Sequence, residues 1–300
     1  MKTGGDFVLC FLHGYHYASV AHFFRSLETV APSARAVVFA QFLPEETLRE
    51  LRGHGALIVD SRPERTRGMR NSWERFWPLA RIVGQVLPTR DLRARFAFAF
   101  VEPMVRRFLL YREWLRGHRE VQRALLTDVR DVVFQSDPFA LIKPGEDCVF
   151  FEESREVGAC TINRGWLDRM FGEGSWRPFA GTKIICAGTI LGTRTGLLRF
   201  LDVFVDTLMR ARRFDPAFHG GFDQGIVNFL VRSNVVPNSC VRRNGEGSWT
   251  GRTDGNIVRI DGQGRVVLRD GGPVSVVHQF DRDPGLSGHV DHSGANCAMR

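Results

Sequence analysis

Apolar residues follow two periods along the first sixty positions of this chain, and the two alternate. Phe7–Leu12 is an unbroken apolar run of strand length, whereas Val20–Val30 spaces its apolar residues for one face of a helix. Ala36–Ala40 predicts a second strand. Pro44-Glu45-Glu46 opens a helix, with proline where its missing N–H is no loss and acids beside the positive end of the helix dipole. Gly53 and Gly55 end that helix, and Ala56–Val59 predicts a third strand finishing at Asp60. Strand, helix, strand, helix, strand at this spacing predicts parallel strands joined by right-handed crossovers.

Residues 61–90 carry several arginines together with Pro63, Pro78 and Pro88, which predicts an irregular connection with one short helix around Trp73–Val86. Asp91–Leu115 predicts one long helix, striped by Phe96, Phe100, Val101, Met104, Val105, Phe108 and Leu109, its arginines on the solvated face. Ala124–Leu126 is a fourth strand run. Cys148–Phe151 and Lys183–Leu191 predict further strands, and Gly196–Arg210 and Asp223–Val231 predict helices. Asn256–Leu268 predicts a hairpin about Asp261-Gly262-Gln263-Gly264, and Val274–Val277 a last strand ending at His278. No internal repeat and no long linker divides the chain. The expectation is one α/β domain over 1–280, with a mixed, mainly parallel sheet flanked by helices, followed by a flexible tail over 281–300.

Composition adds exclusions. At 43% hydrophobic and 25% charged the chain is an ordinary globular sequence, not a disordered tail, collagen-like fibre or coiled coil. The net charge of +8 invites a nucleic-acid reading, but the only lysines are Lys2, Lys143 and Lys183, so the excess is arginine and fits a coding bias equally well. No stretch reaches the roughly 20 apolar residues of a membrane span. The start of the chain lacks a signal-peptide pattern. Six scattered cysteines without a CxxC pair, several inside apolar runs, suit a reducing, cytoplasmic-type compartment. The basic surface leaves peripheral contact with a membrane open.

The sharpest chemistry stands after the fourth strand run: Leu125-Leu126-Thr127-Asp128-Val129-Arg130-Asp131-Val132-Val133-Phe134. In open α/β sheets ligands bind beyond the carboxyl ends of strands. Two acids there suit a hard divalent cation, which in turn can hold a diphosphate. A solvated turn, with Asp128 capping amides and Arg130 paired to Asp131, is the plainer alternative.

In this setting the sequence resembles nucleotide-sugar glycosyltransferases of the GT-A type, which carry an acidic motif after a central strand. Asp128-x-x-Asp131 is most similar to the form found in the glycosyltransferase domain of lysyl hydroxylases and in related bacterial, plant and viral enzymes. The resemblance implies that Asp128 reaches ribose or metal, that Asp131 ligates metal directly and that Thr127 and Arg130 flank the donor. Cys186-Ala187-Gly188 stands where these enzymes usually have an Asn-Ser/Ala-Gly turn, so Gly188 would let backbone approach the sugar while Cys186 replaces the usual Asn. Phe222-Asp223-Gln224-Gly225 resembles a recurrent Asp-Gln at a helix start, where Asp223 and Gln224 would meet the donor sugar and Asp223 would act near the reacting centre. An ordinary helix N-cap is the alternative for Asp223. His278 stands where many of these enzymes supply a third metal ligand. Asp128, Asp131 and His278 would then hold Mn²⁺ or Mg²⁺.

Weaker signals compete. Tyr15, or Tyr17, in the segment after the first strand could stack on a nucleobase. Arg107, on the long helix with Arg106, could reach a phosphate. His289-Val290-Asp291-His292 has metal-ligand flavour in a flexible tail. The sequence thus predicts a metal-dependent glycosyltransferase that moves a sugar from a UDP-, GDP- or dTDP-sugar to a carbohydrate or other hydroxyl acceptor, with no nucleic acid and no integral membrane segment. A basic nucleic-acid-binding protein, a metal-dependent phosphohydrolase and a catalytically silent binding module are the alternatives.

Overall fold

The structure is a computed structural model that describes residues 4–62, 73–212, 221–251, 258–283 and 285–288. The alternation at the start of the chain becomes β1 (Gly5–His13), α1 (Ala21–Val30), β2 (Arg35–Gln41), α2 (Glu45–Gly53) and β3 (Leu57–Asp60). β1 pairs in parallel with β2, and β2 with β3. Successive strand residues point to opposite faces. Phe7 and Leu9 therefore enter one buried layer, and Val8, Cys10 and Leu12 the other. Cover on both faces is why β1 is continuously apolar rather than alternating.

α3 (Trp73–Val86) occupies the span the sequence predicts, with Pro78 inside it. The long helix expected over 91–115 does not form as one. The chain makes α4 (Arg90–Phe98) and α5 (Pro103–Gly117), with Glu102 extended at φ −63, ψ 159 between them. Pro103 is the cause, because it offers no N–H to an earlier carbonyl and its ring drives the preceding residue out of the helical region. The apolar stripe continues across the break, since both helices line the same core. The arginines of α5 also depart from expectation: Arg106, Arg107 and Arg112 are 6%, 4% and 1% exposed. Burial of such groups requires partners. Arg112 is held by Asp91 and Asp202.

The remaining elements are β4 (Val121–Thr127), β5 (Val132–Phe134), β6 (Cys148–Glu156), α6 (Thr161–Phe171), β7 (Lys183–Thr193), α7 (Arg194–Leu208), α8 (Phe222–Arg232), β8 (Ser239–Arg242), β9 (Gly247–Thr250), β10 (Val258–Ile260), β11 (Val266–Leu268) and β12 (Val274–His278). The main sheet runs β3-β2-β1-β4-β7-β6-β8. Within it β7 alone opposes its neighbours, and the other pairings are parallel. This is the mixed, mainly parallel sheet the sequence predicts. β10 and β11 form the expected antiparallel hairpin, with Asn256 and Ile257 outside the described residues.

A second sheet, β5-β12-β9, is new relative to the sequence pattern. β12 is the last strand the sequence predicts, but β5 and β9 hold only three and four residues, too few for a periodic signal. Folded structure also continues past Phe280: Leu286 is buried and packs with Trp249, Val277 and Phe280. No helix among the described residues is long and apolar enough to cross a membrane.

Candidate functional site

The acidic turn links the two sheets. β4 ends at Thr127, and Asp128 to Asp131 lead into β5. Val129, between the acids, is 3% exposed and anchors the turn in the core. Thr127 is buried, and its hydroxyl donates to the Asp128 carbonyl at 3.0 Å, so it shapes the turn rather than facing outward. On the far side the Gln279 N–H donates to the Asp131 carbonyl at 2.7 Å, with Gln279 in the left-handed region at φ 57. His278 lies across from Val132 on one side and Thr250 on the other. Asp128 thus belongs to the end of the main sheet, whereas Asp131 and His278 are fixed by the small one.

Donor atoms of Asp128, Asp131 and His278 all lie within 4.8 Å of one another. His278 Nε2 stands 3.4 Å from Asp128 Oδ2 and 3.7 Å from Asp131 Oδ1. It is buried yet in hydrogen-bond geometry with neither. A buried nitrogen left without a hydrogen bond calls for an explanation. Two carboxylates and an imidazole are a donor set that suits Mn²⁺ or Mg²⁺, so the residues present fit a divalent cation.

The charges around this cluster are strongly coupled. Burial opposes the His278 charge, but Cys186, Asp131 and Asp128 around the ring raise its basicity well above the ordinary histidine value. Burial likewise opposes ionisation of Asp128, yet Arg107 and His278 hold its carboxyl well below the usual carboxylate range. Asp131 is raised, chiefly by burial.

β7 brings the third component. Its pairing with β6 passes from Ile190 opposite Phe150 to Ile185 opposite Glu152, so Cys186–Thr189 bulge out of register. The Asn228 side chain substitutes for the missing strand, accepting from the Ile185 N–H at 2.8 Å and donating to its carbonyl at 3.0 Å. Gly188 is carried against the acids: its carbonyl accepts from the Asp128 N–H at 3.0 Å, and a Cβ added to it would lie 2.5 Å from His278 Cε1. Cys186, at the usual Asn position, is 1% exposed, with Sγ 3.2 Å from His278 Nδ1.

Asp223 opens α8 but is no simple cap. Gly221, left-handed at φ 92, holds the N-cap position. Asp223 is 2% exposed and bonded to Arg107 Nη2 at 2.7 Å. The other arm of Arg107 meets Asp128 Oδ1, and Nη2 also reaches the Ala187 carbonyl at 3.4 Å. Arg107 is therefore a buried clamp between two carboxylates, a different role from the phosphate contact expected of it. Burial raises Asp223, and Arg107 opposes that rise.

Gln224 is half-buried and donates to Asn163 Oδ1 at 3.4 Å. Arg130 is half-exposed and bonded to Asp281 at 2.9 Å, with Asp131 more distant at 3.9 Å. Tyr15 is half-buried and lies within electrostatic reach of Arg130. Tyr17 stacks on His54 and meets its Nε2 at 2.5 Å. The His289–His292 cluster lies outside the described residues.

Two participants carry no sequence signal. Asn228 is fully buried in α8, where most of the other buried residues are apolar. Glu102, 8% exposed, accepts from the Phe222 N–H at 3.0 Å and so ties α5 to the start of α8. Burial, followed by the charge of Asp223, raises its pKa from 4.5 to about 7.

No family model and no curated protein matches the chain. Among solved structures it is similar to galactosyltransferase LgtC, determined with donor and acceptor sugar analogs, at 16% identity and TM-score 0.51, covering 98% of this chain and 95% of that one. It also aligns with a glycosyltransferase involved in glycosylating the major capsid of PBCV-1, at 10% identity and TM-score 0.44, over 97% of this chain and 98% of that one. The first similarity establishes the fold, which is of the GT-A type.

Proposed function

We propose that the protein is a metal-dependent glycosyltransferase, transferring a sugar from a nucleoside-diphosphate sugar to an acceptor hydroxyl. The observation that carries the proposal is the convergence of Asp128, Asp131 and His278 Nε2 beside Gly188, at the carboxyl end of β4. The GT-A-type fold supports it, because chemistry in such folds is set by the residues grafted at that end.

In this reading Asp128, Asp131 and His278 hold Mn²⁺ or Mg²⁺, which when bound supplies positive charge to the leaving diphosphate. Arg107 fixes one Asp128 oxygen and leaves Oδ2 turned toward the other two ligands. The same guanidinium orients Asp223 toward the donor sugar, with Gln224 beside it. Gly188 lets that sugar lie against backbone, and Tyr15 and Arg130 border the nucleotide. The acceptor oxygen bonds to the anomeric carbon and releases its proton, while the bond from that carbon to the diphosphate breaks and its electron pair leaves on the diphosphate oxygen. A nucleic-acid role for the net charge gains little, since several arginines are consumed by internal carboxylates.

The test is calorimetric binding of UDP, GDP and dTDP with and without Mn²⁺. The expected result is binding to one of them that needs Mn²⁺, is lost in Asp131→Ala and persists in the control Glu173→Ala. Absence of diphosphate binding under every condition sinks the proposal.

A further inference from the structure

We infer that Cys186 is a positioning residue for His278: its buried sulfur takes the imidazole Nδ1–H and so turns Nε2 toward Asp128 and Asp131. The inference rests on the metal site proposed above and concerns what aims one of its ligands.

A histidine can offer the Nε2 lone pair to a cation only while its ring proton sits on Nδ1. In a fully buried ring that proton needs an acceptor. His278 is 0% exposed, and among the described residues the group at hydrogen-bond distance from Nδ1 is Cys186 Sγ, at 3.2 Å. The opposite nitrogen faces the two carboxylates. The ring is thus held by sulfur on one edge and presented to oxygen on the other, an arrangement in which the outer contact selects the tautomer of a ligand.

The sulfur is itself fixed. Cys186 starts the β7 bulge, and the preceding residue, Ile185, is gripped at both backbone groups by Asn228. A thiol is also a weak acceptor compared with the carboxylate, carbonyl or water that usually bonds a ligating histidine. The contact accordingly orients the ring without placing a further charge beside it.

Two substitutions separate positioning from packing. Cys186→Ser keeps a hydrogen-bonding atom and loses volume, whereas Cys186→Val fills the space and accepts nothing. Positioning predicts that Cys186→Ser binds Mn²⁺ within a few-fold of the unmodified chain and that Cys186→Val loses about 10–100-fold, the usual effect of removing an outer-sphere partner. Packing predicts the reverse order. Mn²⁺ affinity is read by calorimetry and by the electron-paramagnetic signal of free Mn²⁺, with thermal melting as the check on folding. The ¹⁵N resonances of His278 provide a second readout, because the Val variant should alter the Nδ1–H signal specifically. Unchanged affinity in Cys186→Val with an unchanged Nδ1 resonance overturns this inference alone. Failure of the unmodified chain to bind Mn²⁺ overturns the metal reading and this inference with it.

Discussion

A Cβ built on Gly188 would stand 2.4 Å from Asp128 Oδ2, closer than carbon and oxygen can approach without bonding. The bare backbone of one strand therefore forms a wall of the site against the acid of its neighbour, whose own N–H bonds the Gly188 carbonyl. Neither residue can change size without moving the other.

Gly188→Ala is accordingly expected to fold and to lose metal-dependent nucleotide binding by at least about tenfold, or roughly 1.4 kcal/mol. Its methyl collides with both Asp128 and the His278 ring rather than with the core. Calorimetry with Mn²⁺ checks this, and wild-type affinity would show that the carboxylate yields freely.

Arg107→Met removes the charge that, among the described residues, is bonded to both Asp128 and Asp223, and leaves two carboxylates facing each other near the core. Breaking a buried ionic network from one side costs about 3–5 kcal/mol. Urea unfolding should show a loss of that order at neutral pH. The loss should shrink in the double variant Arg107→Met, Asp223→Asn, since the two residues share one interaction. Additive effects would place Asp223 outside the clamp.

Glu102 makes stability depend on pH in a defined direction. Its folded value of about 7 lies above the unfolded 4.5, so between the two the native state holds a proton that the unfolded chain has released. The contribution is full below the unfolded value and is lost as pH rises through about 7, worth roughly 3 kcal/mol at most. Glu102→Gln keeps an acceptor for the Phe222 N–H and should flatten that part of the stability profile. An identical slope in the variant assigns the pH dependence elsewhere.

Asn228→Ala strips Ile185 of the partners for both its N–H and its carbonyl. Two buried backbone groups left unsatisfied cost about 1–3 kcal/mol each. Chemical denaturation should show a loss in that range, and metal affinity should also weaken because the bulge carrying Cys186 and Gly188 loses its anchor. A stability loss with undiminished metal affinity would separate the anchor from the site.

Much of this was legible in the sequence because it depends on local pattern. The strand of Phe7–Leu12, the helix of Val20–Val30 and the acids leaving the fourth strand follow from periodicity and from where a sheet presents its ends. Other features depend on distance or sign. The break at Pro103 is masked because apolar spacing runs through it while the backbone cannot. The inward turn of Arg107 is hidden because periodicity assigns arginine to water, whereas two carboxylates far apart in sequence pull it inside. Gly188 hints at the bulge over Cys186–Thr189, but the Asn228 amide that binds the strand beside it lies on a helix far along the chain. Asp128, Asp131 and His278 are grouped by resemblance and not by pattern. That they meet depends on the small sheet, of which the sequence announces β12 but not β5 or β9.

That small sheet also sets a clock. Two of its three strands, and the histidine that completes the cluster, follow every strand of the main sheet in chain order, whereas both acids precede β6. A ribosome-bound chain can have the main sheet largely assembled while Asp131 still lacks the strand that holds its carbonyl. Asp128 and Asp131 would then meet His278 only once residue 278 has emerged, after the strands around Asp128 are already paired.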